Sequence, residues 1–509
     1  MLVSSKYAAS LKGAGVCTVD GKLLELGMRD SRKQLAVRLV QAIDSEHFPE
    51  MVEAIGDAMV TEVPEKCRPS KGTSGDRTRA AVRDRILAAL GFAVEKDDGQ
   101  TSLATHAEAA LGRKRPDEYP LTFLKNICDG CPTGCLHVTE LCRSCTAQFC
   151  HHACRFGAIR SGSGRTAIDP VKCKKCELCR KACPYGAIVR TVVPCENACP
   201  VGAISKDESG RTYISFDRCI SCGKCVGACP FGAIAVKSQL VDVLRHIKER
   251  REVIAMFAPA FAGQFSQPVE KLHGAIKMLG FSAVYEVALG AETTALAEAK
   301  DFMEHLKEGK QFLTTSCCAA YNEFVAKHLP EMKPFVSLAG TPLRYTAELA
   351  RGEHPGAILV FFSPCFAKYR EVYESSTVDY ALNFEEVTAL FEARKIDVAS
   401  CSEEAFPRPA AREAREFSLS GGVSRSVLAT WTGDAEEVKP VPVNGLDKES
   451  IGFLRRCAET GQCGEGNLIE VMACPGGCIG GGTAGCPLRV AEKQVRAHAG
   501  TGRTLTPNG

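Results

Sequence analysis

Cysteine carries most of the chemistry legible in this sequence. Of 28 cysteines in 509 residues, 17 lie between Cys128 and Cys229. Cys173, Cys176, Cys179 and Cys183 with Pro184 are spaced C-x2-C-x2-C-x3-C-P, and Cys219, Cys222, Cys225 and Cys229 with Pro230 repeat that spacing. In such a run three closely spaced thiolates wrap one 4Fe–4S cubane and the fourth reaches a neighbouring cluster. Zinc sites use four ligands in separated pairs instead. Cys142, Cys145, Cys150 and Cys154 form a variant run, C-x2-C-x4-C-x3-C. Crossing over the fourth ligands gives one set of Cys142, Cys145, Cys150 and Cys183, and a second of Cys173, Cys176, Cys179 and Cys154. The last run finds Cys199 upstream, for a third set with Cys219, Cys222 and Cys225. Cys195 and Cys229 then need two more ligands, and CDGCPTGC offers Cys128, Cys131 and Cys135. Three accessory clusters are expected, and a fourth if that trio ligates; structural thiols or a different ligand set are the alternative. His151 and His152, inside the variant run, read as bystanders.

Composition sets the context. Hydrophobic residues make up 45% and charged residues 24%, and 63 basic against 60 acidic residues leave a net charge of +3. That balance gives no case for a nucleic-acid or polybasic membrane protein. No run approaches the ~18 apolar residues of a membrane span. The first residues, MLVSSKYAASLKGAG, hold no continuous apolar segment of a secretory signal; a short organelle transit peptide stays open. A chain this long with cysteines in cluster-type runs reads as a cytoplasmic metalloprotein with reduced thiols, not a disulfide scaffold.

The elements that must position these residues divide the chain in four. Residues 1–120 are expected to be mostly helical, from QLAVRLVQAI and RAAVRDRILAALGF, with Glu95 to Pro120 as a linker. Residues 121–237 hold the cysteine runs and an internal repeat, CRFGAI, CPYGAI, CPVGAI and CPFGAI. Residues 238–490 alternate between strand and helix patterns: VIAMFA, QFLTT, AILVFF and NLIEVM are the strands, predicting a mostly parallel sheet with helices on its faces. Residues 491–509 are expected to be a loose tail.

Three of those strands end in a cysteine loop. QFLTTS leads to Cys317 and Cys318, AILVFFSP to Cys365, and NLIEVMA to Cys474 and Cys478 within ACPGGCIGGG. Ligands of open α/β sheets bind beyond the carboxyl ends of the strands, so the loops can converge on one group. The glycines at 476, 477, 480, 481 and 482 let backbone amides approach an anionic ligand. Lys368 places a cation three residues after Cys365.

TSCCAAY (315–321), SPCFAKYRE (363–371) and EVMACPGGCIGGG (470–482) resemble, in order, the three signature motifs of FeFe (iron-only) hydrogenases. The resemblance covers roughly residues 120–490, and its details are most similar to the subgroup often called group B. It implies an α/β catalytic domain of hydrogenase H-domain type, an α+β ferredoxin-like cluster domain and a mostly helical N-terminal region. It also implies the H-cluster, a 4Fe–4S cubane bridged to a two-iron unit carrying CO, cyanide and an azadithiolate. By the resemblance, Cys318, Cys365, Cys474 and Cys478 would hold the cubane, with Cys478 bridging. Lys368 would hydrogen-bond a cyanide. Ala260, Ser363, Pro364 and Met472 would pack around the two-iron unit. Cys317 would pass protons, and the route would continue through Glu298, Ser337 and Asp301. Glu298 and Asp301 are three apart and share a helical face, which suits a relay of buried carboxyls with raised pKa values.

The implied activity is reversible formation of H2 from two protons and two electrons. Ferredoxin or a similar carrier is the implied electron partner, with hydrogenase maturation proteins supplying the cofactor. Lys172, Lys174, Lys175, Arg180 and Lys181 would steer an acidic carrier, or form a solvated face. The chain departs from the family at Ala319, Ser363, Leu343, Thr483 and Ala484, which tune the surroundings of the cofactor. The rival readings are an H2 sensor of hydrogenase type and a non-enzymatic iron–sulfur assembly or carrier protein. Cys457, Cys463 and Cys486 near the third motif read as ordinary thiols or an added redox feature. Cys17, Cys67 and Cys401 read as isolated thiols.

Overall fold

The structure, a computed structural model, describes residues 27–62, 74–115, 119–128, 131, 136–161, 166–208 and 211–507. Cys17, Cys67 and Cys135 lie outside the described residues.

Four helices come first: α1 (Gly27–Ile43), α2 (Phe48–Glu62), α3 (Ser74–Ala89) and α4 (Leu103–Gly112). Leu39, Val40, Ile43, Val52, Ile86 and Leu90 are buried together, and their cluster is continuous with the core of the C-terminal α/β region. The linker expected over Glu95 to Pro120 is overturned. Ser102 caps α4 by accepting from the Thr105 N–H, and Leu103, Ala107 and Ala110 are buried. The small-residue helix ATHAEAALG escapes a polar-linker reading because its apolar face is made of alanines. Arg113 then pins the region to Asp242 through two hydrogen bonds of 3.0 and 2.5 Å.

The cysteine-rich region is built from two-stranded antiparallel ladders. β1 (Leu121–Phe123) pairs with β8 (Ile234–Val236), β2 (Leu136–Val138) with β5 (Ile188–Arg190), β3 (Ile159–Ser161) with β4 (Thr166–Ile168), and β6 (Ile204–Lys206) with β7 (Thr212–Ile214). The Gly-Ala-Ile repeat explains itself here. Gly157, Gly186, Gly202 and Gly232 sit at φ between +58° and +63°, where a side chain is strained. That turn points the next amide back at the thiol: the N–H groups of Ala158, Ala203 and Ala233 donate to Sγ of Cys154, Cys199 and Cys229 at 3.2 to 3.4 Å. The Ile then opens a strand and is buried at all four copies.

The C-terminal α/β region holds two parallel sheets where one was expected. The first has the order β10 (Ala283–Glu286), β9 (Val253–Phe257), β12 (Ile358–Ser363), β13 (Tyr380–Asn383). The second has β11 (Leu313–Thr314), β15 (Leu468–Met472), β14 (Pro440–Asn444). VIAMF is buried at all five positions, as a central parallel strand requires. The helices of this region include α5 (Leu240–Lys248), α6 (Val269–Met278), α7 (Ala288–Lys307), α8 (Ala319–His328), α9 (Pro342–Glu353), α10 (Phe366–Glu374), α11 (Phe384–Ala393), α12 (Gly422–Thr430) and α13 (Lys448–Thr460).

The tail expected over 491–509 is also overturned. Leu488–Ala499 is a helix, α14, with Ala491, Val495 and Ala499 buried, and Leu505 is buried beyond it. A buried ion cluster holds it: Glu286 on β10 binds Arg415 at 2.8 and 2.7 Å and lies 2.8 Å from His498. Burial works against the Glu286 charge, but His498 and Arg415 hold its carboxyl below the usual range. The apolar positions of RVAEKQVRAHA are few and mostly Ala and Val, so the stripe is weak in the sequence. No helix among the described residues is long and apolar enough to cross a membrane.

Candidate cluster sites and active site

The structure brings together cysteines from each of the four expected accessory sets. Cys154, Cys173, Cys176 and Cys179 line one small cavity with Leu136, Ile159 and Ile168. Cys150 lies in the field of Cys183 and Cys145, and backbone N–H donation around Ser144 holds the Cys142 thiol below its ordinary range. Cys222 lies in the field of Cys199 and Cys219, and Cys225 in the field of all three. The fourth set had open ligands in the sequence. Cys128, Cys131, Cys195 and Cys229 line a single cavity with Phe123, Val193 and Ile234. Burial, then Cys229, pushes the Cys195 thiol up to about 11. Cys135 lies outside the described residues. His151 and His152 are exposed.

The cage widths bear on which metal group fits. Among the described residues no three His, Cys, Asp or Glu side chains close on a point as the ligands of one ion do. The thiols instead rim cavities walled by apolar side chains, which suits a multi-iron cluster better than zinc.

The third accessory set abuts the C-terminal α/β region. Cys222 and Cys474 line one cavity of about 450 Å³, and Cys474 feels the Cys222 thiol. Gly223 has φ +76°, and a Cβ there would fall 1.9 Å from Phe366 Cδ2. The accessory loop therefore presses directly on the residue after Cys365.

Each strand-end loop delivers its cysteine to the same place. Cys318 is the N-cap of α8 and Cys365 the N-cap of α10. Cys474 follows β15, and Cys478 opens a short 3-10 turn, Cys478–Gly480. The loop between them needs glycine: Gly477 has φ +87°, and a Cβ there would meet Ser418 O at 2.4 Å. Burial pushes Cys365 up to about 11 and Cys478 to about 12, and each lies in the field of Cys318. Cys474 is raised by burial and then by Cys365, Cys318 and Cys478. Burial and mutual repulsion oppose ionisation of Cys365, Cys474 and Cys478 unless a cation lies among them. A metal cluster reverses that penalty, because it binds thiolates. The donor set therefore fits an iron–sulfur group.

Lys368, on α10, is largely buried beside this cage, its side chain 13% exposed. Burial opposes its charge, but Glu371 outweighs it, and Cys365 and Cys317 add to the same sign. Lys368 Nζ donates to Glu371 Oε2 at 2.5 Å, and Thr341 Oγ1 donates to Glu371 Oε1 at 2.5 Å. Ala260, Ser363, Pro364 and Met472 are buried. Ser363 Oγ accepts the Cys365 N–H at 3.1 Å, and Pro364 O accepts the Thr483 N–H at 3.3 Å.

The acid–base residues gather around Cys317. Its thiol is buried, and burial followed by the fields of Glu298, Cys318 and Cys478 raises it well above the ordinary range. Glu298, on α7, is fully buried; burial raises its pKa to about 8 against the hydrogen bonds of Ser316. Oε1 accepts the Ser316 N–H at 2.9 Å and lies 3.3 Å from Ser316 Oγ, while Oε2 has no hydrogen-bond partner. Asp301 differs from the expectation of two buried carboxyls: it is only partly buried. Asp301 Oδ2 accepts the Leu338 N–H at 2.6 Å, and Oδ1 lies 3.3 Å from His305 Nδ1. Ser337 Oγ accepts the Ala339 N–H at 3.2 Å, and Ala339 O lies 2.9 Å from Ser316 Oγ. The Ser337 hydroxyl accepts within its own loop, and that loop also meets the Ser316 hydroxyl through Ala339 O and Asp301 through the Leu338 N–H.

Sequence reasoning misses Ser316, Glu371 and Glu470 as positioning groups. All three lie inside the quoted motifs, so spacing already held the signal. Glu470 accepts the Gly421 and Ser424 N–H groups at 2.7 and 2.8 Å, tying the start of α12 to β15.

Residues 251–482 match the family described as iron only hydrogenase large subunit, C-terminal domain. This stretch is similar to an iron-only hydrogenase C-terminal domain. Residues 194–233 match a 4Fe-4S dicluster domain, and residues 166–189 match a 4Fe-4S binding domain. The chain is 29% identical to the NADP-reducing hydrogenase subunit HndD of Solidesulfovibrio fructosivorans, across 42% of this chain and 45% of the relative. It is 28% identical to the periplasmic Fe hydrogenase large subunit of Nitratidesulfovibrio vulgaris, across 62% of this chain and 85% of the relative. It is 24% identical to the nuclear prelamin A recognition factor of Danio rerio, across 48% and 65%. The chain thus spans about half the length of the first of these relatives and most of the second. A solved structure of the FeFe-hydrogenase HydA(deltaEFG) aligns over 52% of this chain and 88% of its own, at 19% identity and a TM-score of 0.41.

Proposed function

We propose that this chain is an FeFe hydrogenase that interconverts H2 with protons and electrons at an H-cluster. The observation that carries the reading is the shielded cage of Cys318, Cys365, Cys474 and Cys478 with both Lys368 and Cys317–Glu298 at its edge. The four thiolates would hold the cubane, with Cys478 bridging to the two-iron unit. When bound, that unit supplies the redox chemistry that makes and splits H2. The protein supplies ligands, proton handling and an electron path.

Lys368 would offer a largely buried cation to the bound group, and Glu371, itself bonded by Thr341, fixes its rotamer. Cys317 holds a proton on a neutral thiol. Glu298, poised near pH 8, exchanges that proton from a site that excludes water. Ser316 Oγ and the 337–339 loop lead on to Asp301 at the partly exposed end of the route.

Electrons would pass along the cysteine sets, with Cys199, Cys219, Cys222 and Cys225 last before the catalytic cage. Ferredoxin or a similar acidic carrier would enter at the far end. There the exposed Lys172, Lys174, Lys175, Arg180 and Lys181 surround the second set, beside exposed Val171, Leu178 and Tyr185. Maturation proteins would deliver the two-iron unit.

A second reading, a sensor or a cluster protein without turnover, draws on the likeness to the nuclear prelamin A recognition factor. An infrared spectrum together with a turnover assay separates these readings. Protein matured anaerobically in a host with the hydrogenase assembly machinery is expected to show sharp CO and cyanide bands and to turn over H2. Loaded cubanes without those bands would favour a cluster protein; bands without turnover would favour a sensor.

A further inference from the structure

One helix runs from the catalytic cage to the third accessory set. Cys318 caps the start of α8, and the last turn of this 10-residue helix meets the loop that carries Cys219. Lys327 Nζ donates to Cys219 O at 2.7 Å and to Phe216 O at 3.1 Å, and His328 Nε2 lies 2.7 Å from Arg218 O. Glu323 Oε2, one turn back on α8, lies 2.8 Å from the same Lys327 ammonium. The Lys327 and Glu323 side chains are 18% and 16% exposed, so water screens their charges only in part. Ile220, inside the cysteine run, is buried in one core with Ala320 and Phe324 of α8. The ammonium is therefore held against the backbone of a cluster loop, and its field favours the Cys219 thiolate against burial.

We infer that Lys327 is a positioning residue for electron entry, whose charge raises the reduction potential of the cluster held by Cys199, Cys219, Cys222 and Cys225. The inference takes its use from the electron path proposed above, but the potential itself requires only that cluster. A 4Fe–4S cluster gains one negative charge when it takes up an electron. A cation beside it favours the reduced form, and a carboxylate favours the oxidised form. The C-terminal end of α8 carries the negative pole of the helix, which by itself would make a cluster there harder to reduce. A neutral donor could satisfy the Phe216 and Cys219 carbonyls, but only a charged one offsets that pole. Glu323 acts in the opposite sense by partly neutralising the ammonium. The balance of the two decides how readily an electron rests one step from the catalytic cage.

The test is a redox titration of the full chain followed by electron paramagnetic resonance. The chain is made anaerobically without the hydrogenase assembly machinery, so the result is independent of the two-iron unit and of turnover. Cys222→Ser identifies the one-electron step of the third set as the step whose signal it alters or removes. In Lys327→Gln that step is expected at lower potential, with the ratio of reduced to oxidised cluster at a fixed potential down about tenfold, or about 59 mV for one electron. Lys327→Arg, which keeps the charge, is expected to restore the wild-type position. Glu323→Gln is expected to move the same step upward, whereas simple damage to the helix would move both variants the same way. Iron and acid-labile sulfide show that the cubanes of each variant are loaded; should Lys327→Gln lose them, the upward shift in Glu323→Gln carries the test. Three results would overturn the inference: no step that Cys222→Ser alters, a step that stays at the wild-type potential in the iron-loaded variants, or shifts of the same sign in Lys327→Gln and Glu323→Gln.

Discussion

Glu298→Gln separates the proton role of this residue from its structural role. The wild-type carboxyl is fully buried, and its pKa moves from 4.5 to about 8. The folded state therefore keeps a proton that the unfolded chain has released between those two values. The stability this proton contributes is fully present below pH 4.5 and is lost as pH rises through 8. At about 1.4 kcal/mol per unit, the full penalty at high pH is about 5 kcal/mol. Gln is neutral at every pH and escapes that slope. Its NH2 needs a partner in a site where Oε2 has none, which costs roughly 1–3 kcal/mol at all pH values. The variant should thus be equal to or less stable than wild type at about pH 5 and more stable by about 2–4 kcal/mol at about pH 9. Anaerobic thermal melts of cluster-loaded protein across that range measure the crossing. In the same samples H2 turnover should fall roughly 10²- to 10⁴-fold, as loss of a positioned acid–base group does, with CO and cyanide bands unchanged. A variant-minus-wild-type difference that stays flat with pH would refute the assignment of a neutral, buried Glu298. Full turnover in the Glu298→Gln variant would refute its place in the proton path.

The other tests address separate parts of the molecule. Lys368→Met leaves Glu371 beside the cage without its cation, and the protein should hold its cubanes but lose the CO and cyanide bands; unchanged bands would show that Lys368 does not serve the two-iron unit. Replacing Cys131 and Cys195 together by Ala should lower iron by one cluster's worth, read by metal analysis, whereas an unchanged iron content would mean that the cavity they line holds none. Arg415→Met strands Glu286 in the core, where the two side chains are 3% and 1% exposed, and should cost about 3–5 kcal/mol in an anaerobic denaturant titration; a loss under about 1 kcal/mol would show that His498 alone neutralises the carboxylate.

The cluster runs and the three strand-end motifs are legible in the sequence because their chemistry is local. A cubane needs thiolates at fixed short spacings, so C-x2-C-x2-C-x3-C is visible without a fold. Likewise the continuous apolar run VIAMF, bounded by charge and Pro259, reads as a buried strand, and the Gly-Ala-Ile repeat is written out four times. What spacing does not contain is which distant segments meet. Whether Cys128 and Cys131 join Cys195 and Cys229 depends on β1 pairing with β8 across the region. The split into two parallel sheets depends on β15 pairing with β11 and β14 instead of β12, a choice of partners that periodicity does not rank. α4 and α14 read as linker and tail because their buried faces are mostly alanine and valine, too weak a stripe until Asp242 and Glu286 supply the anchors. The proton path divides the same way. Residue types and the i,i+3 spacing place Glu298 and Asp301 on one helix face, but only packing decides that Glu298 is sealed from water, that Asp301 reaches the surface, and that Ser316 stands between them. Desolvation sets a carboxyl's pKa, and desolvation is a property of what the rest of the chain brings around it.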